Sequence, residues 1–238
     1  MSEWKAKRFW KTTEVVETEG GFSILLDTRP VRTPAKAPLV VPARELAEAI
    51  AAEWDAQSDA IDPRTMPATR GANAAIDKVR TQHGEVADML AEYGDCDLLC
   101  YRAAHPQELV TRQNASWDPV LEWAGLALRA RLAPREGVVH APQDAVALAQ
   151  LRQRVHAFDE FELAAFHDLV TISGSLILAF AVTEGFLSEE QAWQLSRLDE
   201  DFQSQQWGVD EEAEELAQTK RESFCHAAQF FRSVKNQA

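Results

Sequence analysis

Polar and apolar positions alternate through residues 8–16, with Phe9 and Trp10 near the start, and a second β-rich run at 22–26 follows Gly20-Gly21. A period of two on either side of a glycine turn predicts an antiparallel hairpin. Asp27-Thr28-Arg29-Pro30 supplies turn residues, so a further short strand is predicted over 31–33. Pro34, Pro38 and Pro42 punctuate the next stretch of chain. Proline has no N–H to give a sheet, which restricts Leu39, Val40 and Val41 to an edge strand. From Ala43 the period turns helical: Leu46, Ala49, Ile50, Glu53 and Trp54 form a stripe that can lie on the sheet. Asp62-Pro63 and Met66-Pro67 break the chain. Helices are predicted over 72–82 and 85–93, with a return to strand over 98–101.

After His105-Pro106 the strand signals nearly vanish. Helices are predicted over 106–115, 118–125, 144–158, 160–184, 189–206 and 210–234, interrupted at 126–140, and Ser188 with Gln191 has the spacing of a capping box. The fold class is therefore α+β: an N-terminal two-layer domain with antiparallel strands, 1–104, followed by an all-α helical bundle, 105–238. Residues 169–182 form an apolar run of 14, short of the roughly 20 that a membrane span requires, and predict a buried helix. Gly174, between Ser173 and Ser175, reads there as a place where a neighbouring helix comes close, without a capping role.

Charge narrows the function. With 38 acidic against 24 basic residues the net charge is −14, a field that repels phosphate backbones and anionic lipid and attracts basic partners. Nucleic acid is set aside on that ground, and membrane insertion on the shortness of the 169–182 run. The odd cysteine count (Cys96, Cys100, Cys225) and the charged start Met1-Ser2-Glu3-Trp4-Lys5, which is no signal peptide, point to a reducing cytoplasm.

The motifs of catalysis and metal binding are missing. No GxxxxGK[ST] loop occurs, and Gly20-Gly21 leads into a hairpin rather than from a strand to a helix N-terminus. Ser173-Gly174-Ser175 is no nucleophile elbow, since it lies within a predicted helix and its hydroxyls can bond carbonyls one turn back. None of the six histidines follows a Glu by three residues, and His156-x-x-Asp159 occurs once, so a helical di-metal site has no support. Cys96 and Cys100 lack the second ligand pair of a zinc site and read as free buried thiols, while adjacent Cys225 and His226 point in different directions on a helix. No catalytic residue, metal or cofactor is expected.

What stands out is residues 199–215. Asp199, Glu200, Asp201, Asp210, Glu211, Glu212, Glu214 and Glu215 occur there without one Lys or Arg, while Leu195, Leu198 and Phe202 keep a stripe for the core. The helix dipole favours carboxylates at Asp210 to Glu212, and a solvated face is the plain reading of such a run. Trp207-Gly208, a Trp at a helix break amid charge, suits an interface anchor.

Several blocks in order then become recognisable: Lys7-Arg8-Phe9-Trp10-Lys11; Leu26-Asp27-x-Arg29-Pro30-Val31-Arg32-Thr33-Pro34-x-Lys36; Leu46-Ala47-x-Ala49-Ile50-Ala51-x-Glu53-Trp54-Asp55-x-Gln57; Met66-Pro67-x-Thr69; Ala75-Ile76-Asp77; Leu198-Asp199-Glu200-Asp201-Phe202-Gln203; and Gln206-Trp207-Gly208-x-x-Glu211. Together they resemble the ATP synthase alpha-subunit assembly-chaperone family over nearly the whole chain. The resemblance implies an N-terminal α+β domain and a C-terminal orthogonal helical bundle. It also implies a role: holding the unassembled alpha subunit until beta replaces the chaperone. Its acidic C-terminal position falls on Glu211; where many members carry an aspartate four residues further on, this chain has Glu214-Glu215. The partner-binding set is Glu200, Gln203, Trp207, Gly208, Glu211 and Glu215. Mitochondrial members carry presequences, and a first landmark at Lys7 leaves no room for one, so a bacterial cytoplasm is expected, with the free chaperone monomeric. The alternatives are a carboxylate-dependent hydrolase using Glu200, Glu211 or neighbours, and a permanent structural subunit.

Overall fold

The computed structural model describes residues 7–208 and 210–235. The charged start, on which the expectation about a signal peptide rests, lies outside the described residues. By compactness the chain divides into two units that interleave in sequence: one holds the chain up to Gln82 with 159–165 and the stretch from Gln229, the other 83–158 and 166–228. A boundary at residue 105 between independently folding domains stands as a proposal.

The first unit is built on the predicted hairpin. β1 (Thr13–Thr18) pairs antiparallel with β2 (Gly21–Leu26), in a register running from Thr13 opposite Leu26 to Thr18 opposite Gly21. The other edge of β2 is shared by β3 (Arg29–Pro30) and β4 (Val40–Val41). The strand expected at 31–33 is reduced to an isolated antiparallel bridge of Arg32 with Pro38, just after β3, with Val31 N donating to Ile24 O at 2.9 Å. After Val31, Thr33 closes a local turn, its Oγ1 accepting from Ala37 N at 3.1 Å while its N–H donates to Ala37 O, so the turn takes the groups a ladder would need. α1 (Arg44–Asp55) covers the sheet, burying Leu46 and Ile50 of the predicted stripe together with Ala47 and Ala51, which the stripe did not include, against the strands, while Ala49, Glu53 and Trp54 are half-buried.

α2 (Pro67–Asp77) begins five residues before its predicted start. Met66-Pro67 opens a helix rather than ending one, because the first helical N–H has no partner in any case and proline lacks it. Glu53 supplies acceptors for the next donors, bonding Ala68 N, Thr69 N and Thr69 Oγ1 at 2.6, 2.8 and 2.7 Å. Gln57 holds the intervening loop by accepting from Asp62 N and donating to Thr65 Oγ1. A Cβ on Gly71 would come within 2.8 Å of the Phe230 ring, so close approach does occur, though not at the glycine that the sequence suggests.

The second unit is mainly helical: α3 (His83–Glu92), α4 (Gln107–Trp123), α5 (Ala145–His156), the greater part of α6 (Glu160–Ser173), α7 (Leu176–Thr183), α8 (Glu189–Ser196), α9 (Leu198–Trp207) and most of α10 (Glu211–Lys235). The strand expected over 98–101 shrinks to β5 (Tyr101–Arg102), preceded by a tight turn and paired in parallel with β6 (Arg135–Glu136) inside the predicted interruption.

The helices predicted over 106–115 and 118–125 merge into α4, which runs through Pro119. Its stripe of Gln113, Trp117, Val120 and Leu121 is buried, and burying a Trp outweighs the one hydrogen bond a proline removes. Conversely, the helix expected over 160–184 is two. Gly174 has φ 69, the left-handed conformation that ends a helix, and a Cβ there would meet only Leu98 Cβ at 4.0 Å. Gly174 is therefore a terminator and not a point of close approach. Ser175 caps α7 by accepting from Leu178 N at 2.9 Å, while Ser173 Oγ donates one turn back to Leu169 O as predicted. The helix expected over 189–206 also divides, at Arg197, and the capping box of Ser188 and Gln191 is present at the start of α8.

Candidate partner-binding site

The predicted binding residues lie where α9 meets the start of α10, all within the second unit. α9 is fixed by Leu198 and Phe202, both buried, and by Asp199, whose Oδ1 accepts from buried Gln113 Nε2 at 2.7 Å. Asp199 thus faces inward, and the opposite face is left to Glu200, Gln203 and Trp207, spaced three and four residues apart. Glu200 pairs with Arg197 at 3.1 Å. Gly208 ends the helix with φ 96 and ψ 163, a backbone state essentially restricted to glycine, and donates to Ser204 O at 3.0 Å. Asp210 then starts α10, its Oδ1 accepting from Glu212 N and Ala213 N.

Between the two helices lies a groove of 350 Å³. Glu200, Gln203, Trp207 and Gly208 line it from the α9 side. Glu211 and Glu215 are exposed on the first turns of α10 but outside the lining, so the structure gathers four of the six residues around one cavity and leaves two beside it. The opposing wall was missed in the sequence: Ala213, Leu216, Ala217 and Lys220. Their three- and four-residue spacing, with an aliphatic side chain in an acidic helix, was the available signal. Trp207 is 81% exposed and Leu216 57%, which makes an apolar lip on a carboxylate-rich edge.

The site's carboxylates are surface groups. A general acid needs a desolvated carboxyl with a raised pKa, and the described carboxylate that best meets that condition is elsewhere. Asp97 is fully buried, and desolvation pushes its pKa up to about 6. Its oxygens are occupied, accepting from Leu99 N at 3.0 Å, Ser175 Oγ at 2.8 Å and Ile177 N at 2.9 Å. It is a staple between the 97–99 turn and the start of α7, and nothing in the sequence pattern singles it out. Glu162, also raised by desolvation, is spent on Asp159 N in a cap for α6.

The thiols are no better suited to catalysis. Cys100 is buried and pushed up to about 12 by desolvation. Cys96, expected to be buried, is exposed, and partial desolvation with nearby Asp97, Asp95 and Glu92 raises it too. His156 is held by Asp88 Oδ1 at 2.5 Å rather than by Asp159, and Arg152 shares that carboxylate. Among the described residues no three His, Cys, Asp or Glu gather to hold a metal, and no helix is long and apolar enough to cross a membrane.

Residues 7–125 match the family described as ATP12 chaperone protein, half of the chain. The chain belongs to the ATP12 chaperone family. That makes it a non-enzymatic chaperone of ATP synthase assembly. Atp12 from Paracoccus denitrificans has the same fold, with a TM-score of 0.95 and 48% identity over 98% of this chain and 100% of that one. A putative chaperone from Agrobacterium tumefaciens, Atu1473, gives 0.93 and 44% over 96% of this chain and 86% of that one. The mitochondrial protein atp12 of Schizosaccharomyces pombe is 28% identical over 88% of this chain and 76% of its own length. The family match covers the N-terminal landmarks, whose Glu53 and Gln57 are now explained as caps and loop ties. The α9–α10 edge lies beyond it, within the span shared with the bacterial structures.

Proposed function

We propose that the chain binds the unassembled alpha subunit of ATP synthase and covers the surface that later meets beta, until beta displaces it. The α9–α10 edge is the contact: Trp207 and Leu216 exclude water from an apolar patch on the client, while Glu200, Gln203, Glu211 and Glu215 with the turn at Gly208 supply a polar, acidic rim. The observation that carries this reading is an 81% exposed Trp beside a 350 Å³ groove, in a stretch with eight carboxylates and no Lys or Arg. Exposed aromatics of this kind are anchors in search of a partner, and an acidic rim speeds and orients encounter more than it adds affinity. A contact that must yield to beta suits a modest interface better than an obligate one. The kinship with bacterial proteins supports a bacterial cytoplasm as the setting, and the free chaperone is proposed to be monomeric.

The test is co-expression of the alpha subunit with the wild type, Trp207→Ala and Glu211→Lys. Wild type should yield a soluble complex and each variant a depleted one. Equal complex yield from all three would remove the edge from the mechanism.

A further inference from the structure

The first unit carries a face of opposite sign. Residues 7–12 and 27–36 hold six basic side chains and one acidic one, in a chain whose net charge is −14. The fold brings the two segments together: Asp27 Oδ1 accepts from Lys11 N, Thr12 N and Thr12 Oγ1 at 3.0, 3.0 and 3.2 Å. That acid is thereby engaged in joining the segments, and two acids from outside them are also bonded to them, Asp77 Oδ2 accepting from Ala35 N at 3.0 Å and Asp55 pairing with Arg8. Lys7, Lys11, Arg29, Arg32 and Lys36 are exposed, and among the described residues none of them has a carboxylate within ion-pair distance. Arg8 is put to internal use, donating to Asp55 O and Gln57 O and pairing with Asp55, and Arg32 donates to Lys36 O at 2.9 Å.

An aromatic sits in this face. Phe9 is 61% exposed, although it packs edge-on against buried Trp10, ring centroids 5.2 Å apart, with the Arg29 guanidinium 5.9 Å from its own centroid. Burying Trp10 against Trp54 accounts for the core at this point and gives no reason for a neighbouring phenyl ring in water. A ring held firmly from one side with a guanidinium near its face has the composition of an interface anchor, and the lysines beside it supply charge to the rim.

We propose that this Phe9 face binds an acidic segment of the same client, giving the chaperone a second grip of opposite charge to the α9–α10 edge. The proposal rests on the alpha subunit being the client. At physiological ionic strength the sign of a surface is decided by groups within about 8 Å, so the net negative charge of the chain does not cancel a local basic face. A single charged patch steers a partner without fixing its orientation. Two patches of opposite sign select segments of opposite charge on the client, so each grip recognises a different part of it. The chain belongs to a family of assembly chaperones, whose clients are proteins, so the occupant assigned to the face is a protein segment and nucleic acid is left as an outcome of the test.

The test has two arms on the full chain. In the first, binding of the isolated alpha subunit is titrated with wild type, Trp207→Ala and the double variant Lys11→Glu/Arg29→Glu, with circular dichroism and thermal melting confirming folding. The double variant should bind at least about tenfold more weakly and with reduced salt dependence. In the second, a photo-crosslinking phenylalanine analogue replaces Phe9, and the captured peptide should come from the alpha subunit and be rich in Asp and Glu. Unaltered binding by the double variant, or capture of a neutral or basic segment or of a second copy of this chain, would overturn the second grip and leave the α9–α10 reading intact. Wild type that ignores the alpha subunit would overturn both. Retention on short single-stranded DNA, lost in the double variant, would assign the face to nucleic acid and overturn the proposal as well.

Discussion

Asp97 and the carboxylates of residues 199–215 show two uses of the same chemical group. Asp97 has no exposure, three donors within 3.0 Å and a pKa pushed up to about 6. Glu200, Glu211 and Glu215 are exposed, on an edge whose own stretch contains no cation. Burial in a medium of low polarity makes ionisation expensive unless every lone pair is satisfied, so a buried carboxylate belongs to the fold and is tied down. Outside, hydration satisfies the charge, and the group is free to act at a distance on a partner. The lesson is that the acidic content of this chain is not one property. One carboxylate holds a turn to a helix, and the crowd at the edge is available for recognition.

The largest effect should follow from cutting the buried staple. Asp97→Ala leaves two backbone N–H groups and the Ser175 hydroxyl without their acceptor and should cost about 3 kcal/mol of stability in urea unfolding. The pH dependence sharpens the same point. Because the folded pKa lies above the unfolded value of about 3.9, the folded state takes up the proton first. The stability contributed by Asp97 is therefore full below the unfolded pKa and is lost as pH rises through about 6. Relative to Asp97→Asn, the wild type should gain about 1 kcal/mol on going from pH 7 to pH 5; a gain of the opposite sign would contradict the buried state. Next, Gly174→Ala should cost about 1 kcal/mol, through the left-handed φ and not through crowding. Smallest in stability, Trp207→Ala and Glu211→Lys should change unfolding by less than about 0.5 kcal/mol while depleting the alpha-subunit complex. A large stability loss in either would make the edge part of the fold and end the contrast.

Much of this was legible from local pattern. The hairpin, the stripe on α1, the capping box at Ser188 and the run of mostly helical segments after residue 105 follow from periods and cap chemistry, which act within a few residues. Errors fell where local and distant demands compete. Gly174 in an apolar run reads as a small contact without a capping role, and the fully buried Asp97, which is 77 positions upstream and bonds Ser175 Oγ and Ile177 N, shows instead that a new helix starts there. Residues 116–117 read as a gap between two helices until Trp117 is seen to be fully buried with its Nε1 on Leu195 O at 3.0 Å. Pro67 reads as a stop until Glu53 is found supplying the acceptors for a start. In the site, Trp207 and the acidic run announced themselves, whereas Ala213, Leu216 and Lys220 had no meaning until α10 turned back along α9 at Gly208.

The sequence by itself determined the kinds of element, the sign of the surface and the family, because periodicity, net charge and ordered motifs are properties of the chain as a line. Tertiary structure decided which carboxylate is buried, which aromatic is left in water and which residues face one another across a groove. Those outcomes depend on desolvation and contact between segments far apart in the chain, and both quantities exist only once the chain has folded.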